Sequence, residues 1–148
     1  MAALVLGFAV AASAQPRALG FRGTLDGADI SYQHTLSDSN FIDAGLGLYD
    51  TAFSIDGIYN FMIATPAWTN QGTWGIYAGP GASIGVGTGF FDIAIAGEVG
   101  IEYTFDFPLQ LSVELRPSIG LLLSESRFKY DIDGLMGFIP VISARYRF

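Results

Sequence analysis

Apolar and polar positions alternate with a period of two along most of the chain. The run from Gly97 to Pro117 shows this most clearly. Val99, Ile101, Tyr103 and Phe105 are apolar, while Glu98, Gly100, Glu102 and Thr104 between them are polar or small. After Asp106-Phe107-Pro108 the alternation resumes: Leu109, Leu111, Val113 and Leu115 against Gln110, Ser112, Glu114 and Arg116. Successive side chains of a strand point to opposite faces. Two such runs joined by a tight break therefore predict a β-hairpin with one apolar and one polar face. Its register can shift only in steps that keep each face together. Phe105 opposite Leu109 sets Ile101 against Val113, Glu102 against Ser112 and Glu98 against Arg116. The next allowed register sets Glu98 against Glu114, and directly opposed like charges destabilise a sheet. The Glu98–Arg116 register is the expected one, with Glu114 left to an inner arginine such as Arg145 or Arg22.

The same alternation marks strands at residues 17–24, 28–36, 41–49, 53–63, 74–86, 92–105, 109–123 and 135–148. Short turn signals separate most of them, including Leu25-Asp26-Gly27, Asp50-Thr51 and Gly87-Thr88-Gly89. Longer connections cover 64–73 and 124–134, the latter being the most charged. Pro80 lies inside the fifth run and has no N–H for a ladder, so a bulge or local break is expected there. Eight evenly spaced strands predict an all-β chain folded as an eight-stranded antiparallel up-and-down β-barrel over residues 15–148.

Periodicity does not say which face points outward, but composition does. Hydrophobic residues make up 51% of the chain and charged residues only 14%, and Lys129 is the single lysine. A water-exposed surface needs more charge than that. The polar face carries Glu98, Glu102, Glu114, Arg22, Arg116, Arg145 and Arg147, which suits an interior charge network. Many of the 19 glycines share this face, and an eight-stranded lumen leaves little room for side chains. The apolar face is therefore expected to meet lipid, making the barrel transmembrane.

Residues 1–14, MAALVLGFAVAASA, read as an apolar signal segment cleaved near Gln15. That run is shorter than the roughly 20 residues a membrane helix needs, so strands must do the crossing. Without cysteine there is no disulfide, thiolate nucleophile or Cys-based metal site. A net charge of −7 without a basic patch excludes nucleic acid as an expected partner.

The ending Val141-Ile142-Ser143-Ala144-Arg145-Tyr146-Arg147-Phe148 resembles the C-terminal assembly signal of outer-membrane barrel proteins, with Tyr146 and Phe148 as its aromatic residues. The stretch from Gly100-Ile101-Glu102-Tyr103-Thr104-Phe105 through Pro108-Leu109-Gln110-Leu111-Ser112 to Arg116-Pro117 also resembles a segment of small, eight-stranded bacterial outer-membrane β-barrel proteins. The resemblance implies a monomer in the bacterial outer membrane, inserted by the barrel assembly machinery and surrounded by outer-membrane lipids. It carries over no catalytic residue.

Candidate chemistry is sparse. His34, the single histidine, could serve a His-Ser-carboxylate set, but alternation places it on the apolar face. Asp29, Asp43, Asp56 and Asp92 fall on the polar face and could hold a divalent cation through oxygens, although their spacing matches no loop motif. Gly85-Val86-Gly87-Thr88-Gly89 lacks the Lys-Ser/Thr of a phosphate loop and reads as a strand end with a turn. Tyr32, Tyr59, Phe61, Trp74, Tyr103, Phe105, Tyr146 and Phe148 lie near strand ends and read as an interfacial aromatic belt. The expectation is a non-enzymatic barrel with a plugged polar lumen, no cofactor and a structural or surface-interaction role. The alternatives are a membrane-embedded lipid A-modifying enzyme and a soluble secreted lipocalin-like carrier.

Overall fold

The computed structural model describes residues 15–24, 27–49, 52–124, 127–132 and 140–148. The signal segment expected at 1–14 lies outside them. The described residues form strands and no helix: β1 (Gln15–Thr24), β2 (Gly27–Thr35), β3 (Asn40–Tyr49), β4 (Ala52–Ala64), β5 (Thr73–Gly87), β6 (Phe90–Thr104), β7 (Leu109–Leu115), β8 (Ser118–Ser124), β9 (Arg127–Ile132) and β10 (Val141–Arg147).

All pairings are antiparallel. Neighbours run from β1 through β2, β3, β4, β5, β6 and β7 to β10, and β10 returns to β1 with Ala18 opposite Arg147. This ring is a closed barrel of eight strands. Closure leaves no open edge around the ring. The end where β1 starts and β10 finishes is called the near end. The β5–β6 hairpin, turning at Thr88-Gly89, marks the far end.

β8 and β9 extend the wall at the far end, where β8 pairs with the first half of β6 and β9 pairs with β8. β7 and β8 hold one register against β6, so they are the expected strand 109–123 interrupted at Arg116-Pro117. The interruption has a chemical cause: Pro117 has no N–H to donate, although its carbonyl accepts the Gly97 N–H at 2.9 Å. The charged connection expected at 124–134 contains β9. The last strand, expected from 135, begins in β10 only at Val141; residues 133–139, with Phe138, lie outside the described set.

The β6–β7 hairpin has the charge-selected register. Val99 faces Leu115, Ile101 faces Val113, Glu102 faces Ser112 and Tyr103 faces Leu111. Phe105 N–H donates to the Leu109 carbonyl at 2.9 Å, closing the turn. Pro80 makes the expected local break, confined to the ladder towards β4. β5 runs through it unbroken, and Pro80 keeps its place opposite Gly97. Towards β4 the ladder only skips rungs between Ile58–Gly81 and Phe61–Ala78, with the register the same on both sides. The register shift in this pair lies at Met62–Ala64.

Burial is inverted relative to a water-soluble barrel, whose apolar side chains fill the inside. Phe21, Leu48, Ile63, Ile95, Ile119 and Ile142 are exposed, Ile95 to 75%. Arg22, Asp43, Glu98, Glu114 and Arg145 are buried, Arg145 to 1% exposure.

Candidate functional site: the charged lumen

Alternation sends every second side chain inward. β2 thus contributes Asp29, Ser31 and Gln33, β3 contributes Asp43, and β4 contributes Asp56 and Asn60. Glu98 and Glu102 come from β6, Gln110, Ser112 and Glu114 from β7, and Ser143 and Arg145 from β10.

Arg145 is the hub. Its Nη2 donates to Glu114 Oε1 at 2.7 Å and to Asp43 Oδ2 at 3.0 Å. Its Nη1 reaches Ser112 Oγ at 2.7 Å and its Nε reaches Ser31 Oγ at 2.8 Å. Both serines pass the contact on, Ser31 donating to Asp43 at 2.9 Å and Ser112 to Glu114 at 2.8 Å. The Tyr77 hydroxyl also donates to Glu114, at 2.8 Å. A planar guanidinium that uses three nitrogens in this way is held by geometry as well as charge.

Towards the far end, Arg22 donates to Asp29 at 3.1 Å and to Asp56 at 2.9 Å, and its Nη1 lies 3.6 Å from Asp43. Asp56 uses its second oxygen to accept from Arg116 at 2.6 Å. Arg116, just past the end of the β6–β7 ladder, also lies 3.6 Å from Glu98, so Asp56 takes the short bond. Towards the near end, Arg17 pairs with Glu102 and Gln33 and stacks over the Phe41 ring at 4.0 Å. Gln110 donates to Glu102 at 2.8 Å, and Gln33 donates to Asp43 at 3.0 Å, joining this cluster to the hub.

Of the charged residues expected inside, the ion-pair network gathers Glu98, Glu102, Glu114, Arg22, Arg116 and Arg145. Arg147 stands apart, with no carboxylate within ion-pair distance among the described residues. Arg17 is the member that alternation missed. Its odd number matches outward-facing Leu19 and Phe21, but a register shift between Pro16 and Ala18 turns it inward. The proline before it was the available signal.

Glycine makes the room. At Gly45 the Arg22–Asp56 bridge passes over the backbone, and at Gly100 the Tyr77 ring does so; a Cβ at either would collide. Gly100→Ala must therefore displace Tyr77 from Glu114. The expected cost is about 1–3 kcal/mol, typical of overpacking, measured as a lower urea midpoint. An unchanged midpoint would show that the ring moves freely.

Asp43, Glu98 and Glu114 present oxygens within 4.8 Å of one another. Three such oxygens resemble a cation set, but the Arg145 guanidinium already binds two of them. Asp29 is likewise engaged by Arg22. His34 lies on the outer face, 2.7 Å from the Tyr32 hydroxyl, with no serine or carboxylate bonded to it among the described residues. Gly85 to Gly87 end β5, and Thr88-Gly89 form the turn to β6, with Gly89 at φ 79°.

The aromatic residues gather outside at the near end. Trp68, Trp74, Tyr103, Phe105 and Phe107 form a chain of rings with centroids 4.6–5.3 Å apart. Tyr59–Phe61 and Tyr146–Phe148 are further pairs. The 65–72 connection is tied to this row by Trp74 Nε1 donating to Thr69 at 3.0 Å and the Tyr103 hydroxyl donating to the Gln71 carbonyl at 3.1 Å.

Fold and site together define a closed antiparallel barrel with an apolar exterior and an interior filled by ion pairs. Comparison with protein-family models, curated proteins and solved structures gives no match.

Proposed function

We propose that this chain is a small, non-enzymatic bacterial outer-membrane barrel whose plugged lumen serves rigidity rather than transport. The inverted burial carries this reading: exposed Ile95, Ile119 and Ile142 suit hydrocarbon, whereas Arg22, Glu114 and Arg145 need the shelter of the wall. The near-end ring chain fits an interfacial belt, and Tyr146 of β10 with Phe148 just after it fits an assembly signal read by the insertion machinery. The protein acts as a monomer in outer-membrane lipid, with a role in envelope integrity or surface contact. His34 bonded to tyrosine gives the lipid-modifying reading no support, and a charge-filled interior gives the lipocalin-like carrier none.

The test is fractionation with gel mobility and bilayer recording. The protein should partition with outer membranes, need detergent, migrate faster unheated than boiled, and give no stable conductance in planar bilayers. A soluble, detergent-free monomer would refute the membrane reading, and a steady open pore would refute the plug.

A further inference from the structure

The near-end mouth opens into a cavity of about 320 Å³, within the usual range for small-ligand sites. Its walls combine three kinds of group. Phe41 and Met62 supply apolar surface, Thr35, Thr73 and Thr104 supply hydroxyls, and Arg147 and Arg17 supply cations. The hydroxyls make no hydrogen bond to protein among the described residues, so they remain available.

The two arginines differ. Arg17 is paired with Glu102 and bonded to Gln33. Arg147 has no ion pair among the described residues, and its Nη1 is shut off from solvent without a hydrogen-bond partner. A buried cationic nitrogen left in this state carries a desolvation cost that an anion relieves. The one acid deep in the cavity, Glu102, is already held by Arg17 and Gln110. Asp38, on the 36–39 connection, is exposed at the rim.

We propose that this cavity binds a small monocarboxylate with an apolar body. The carboxylate pairs with the half-buried Arg147 guanidinium and takes hydrogen bonds from the threonine hydroxyls. The apolar body lies against Phe41 and Met62. One free guanidinium suits one negative head, and Asp38 disfavours a second. This site is independent of the membrane reading, because it rests on the mouth's own groups.

Benzoate is the probe, titrated into the folded protein at constant ionic strength while the heat of binding is followed by calorimetry. A saturable change is expected. Benzamide, of the same shape without the charge, should bind at least tenfold more weakly. Arg147→Gln should weaken benzoate at least tenfold, and Asp38→Asn should tighten it a few-fold; unheated gel mobility confirms that each variant folds. The benzoate–benzamide comparison needs no variant at all. Equal binding of the two, or a linear response expected of micelle partitioning, would overturn the proposal. So would an Arg147→Gln protein with unchanged affinity, or saturable binding of inorganic phosphate but not of benzoate.

Discussion

Replacing Arg145 with methionine is expected to destabilise the barrel by about 3–5 kcal/mol, the usual consequence of removing one partner from a buried ion pair. The change leaves Glu114 and Asp43 as adjacent buried carboxylates, and Ser31 and Ser112 lose a donor. Most of the cost is the stranded charge, not the lost side chain. The triple variant Arg145→Met, Asp43→Asn, Glu114→Gln removes that charge and should recover much of the stability, since apolar or neutral replacements of whole buried clusters are often neutral. Urea unfolding in lipid vesicles measures both. A single variant within about 1 kcal/mol of the parent would mean that the lumen is hydrated enough for the hub to matter little.

Arginine at Val113 should cost about 2–4 kcal/mol if this position lies near the bilayer midplane. Val113 is 43% exposed on the outer wall, between Ile101 of β6 and Ile142 of β10. Its side chain has only lipid to meet under the proposed reading. Arginine at Ile63, exposed near the last residue of β4 and beside the aromatic row, should cost about 0–1 kcal/mol, as expected near an interface. Equal tolerance at both sites, within the about 0.5 kcal/mol usual for surface changes, would contradict a lipid-facing wall.

Much of this architecture was legible because it depends on parity. Alternation assigned faces along most strands, and one pair of like charges, Glu98 and Glu114, was enough to choose the β6–β7 register rung by rung. Contacts across the lumen were not legible. Parity tells which residues point inward but not which strand lies opposite, so the short Arg116–Asp56 bond could not be distinguished from the expected Arg116–Glu98 pairing. Arg17 was hidden by a shift of a single residue at Pro16, which reverses the face of everything before it. Strand interruptions were hidden for a related reason. Alternation on both sides of Arg116-Pro117 is in phase, so the pattern carries no mark of the break.

The seam between β1 and β10 has a kinetic consequence. Every other rung of the ring joins strands close in sequence or, like β7 and β10, separated by one hairpin, whereas Ala18 meets Arg147. Hairpins of this kind form in about 1–10 μs, but closing a loop of that length carries a further entropic penalty before any contact rewards it. The seam should thus be the last pairing made and the step that sets the folding rate. Mutations that weaken hairpins already formed at that barrier would slow folding, while mutations confined to the seam would mainly hasten unfolding. A circular permutant with new ends at Thr88-Gly89 would transfer the seam to the β5–β6 ladder, the longest in the barrel, and so make the slowest step the closing of its most extensive contact.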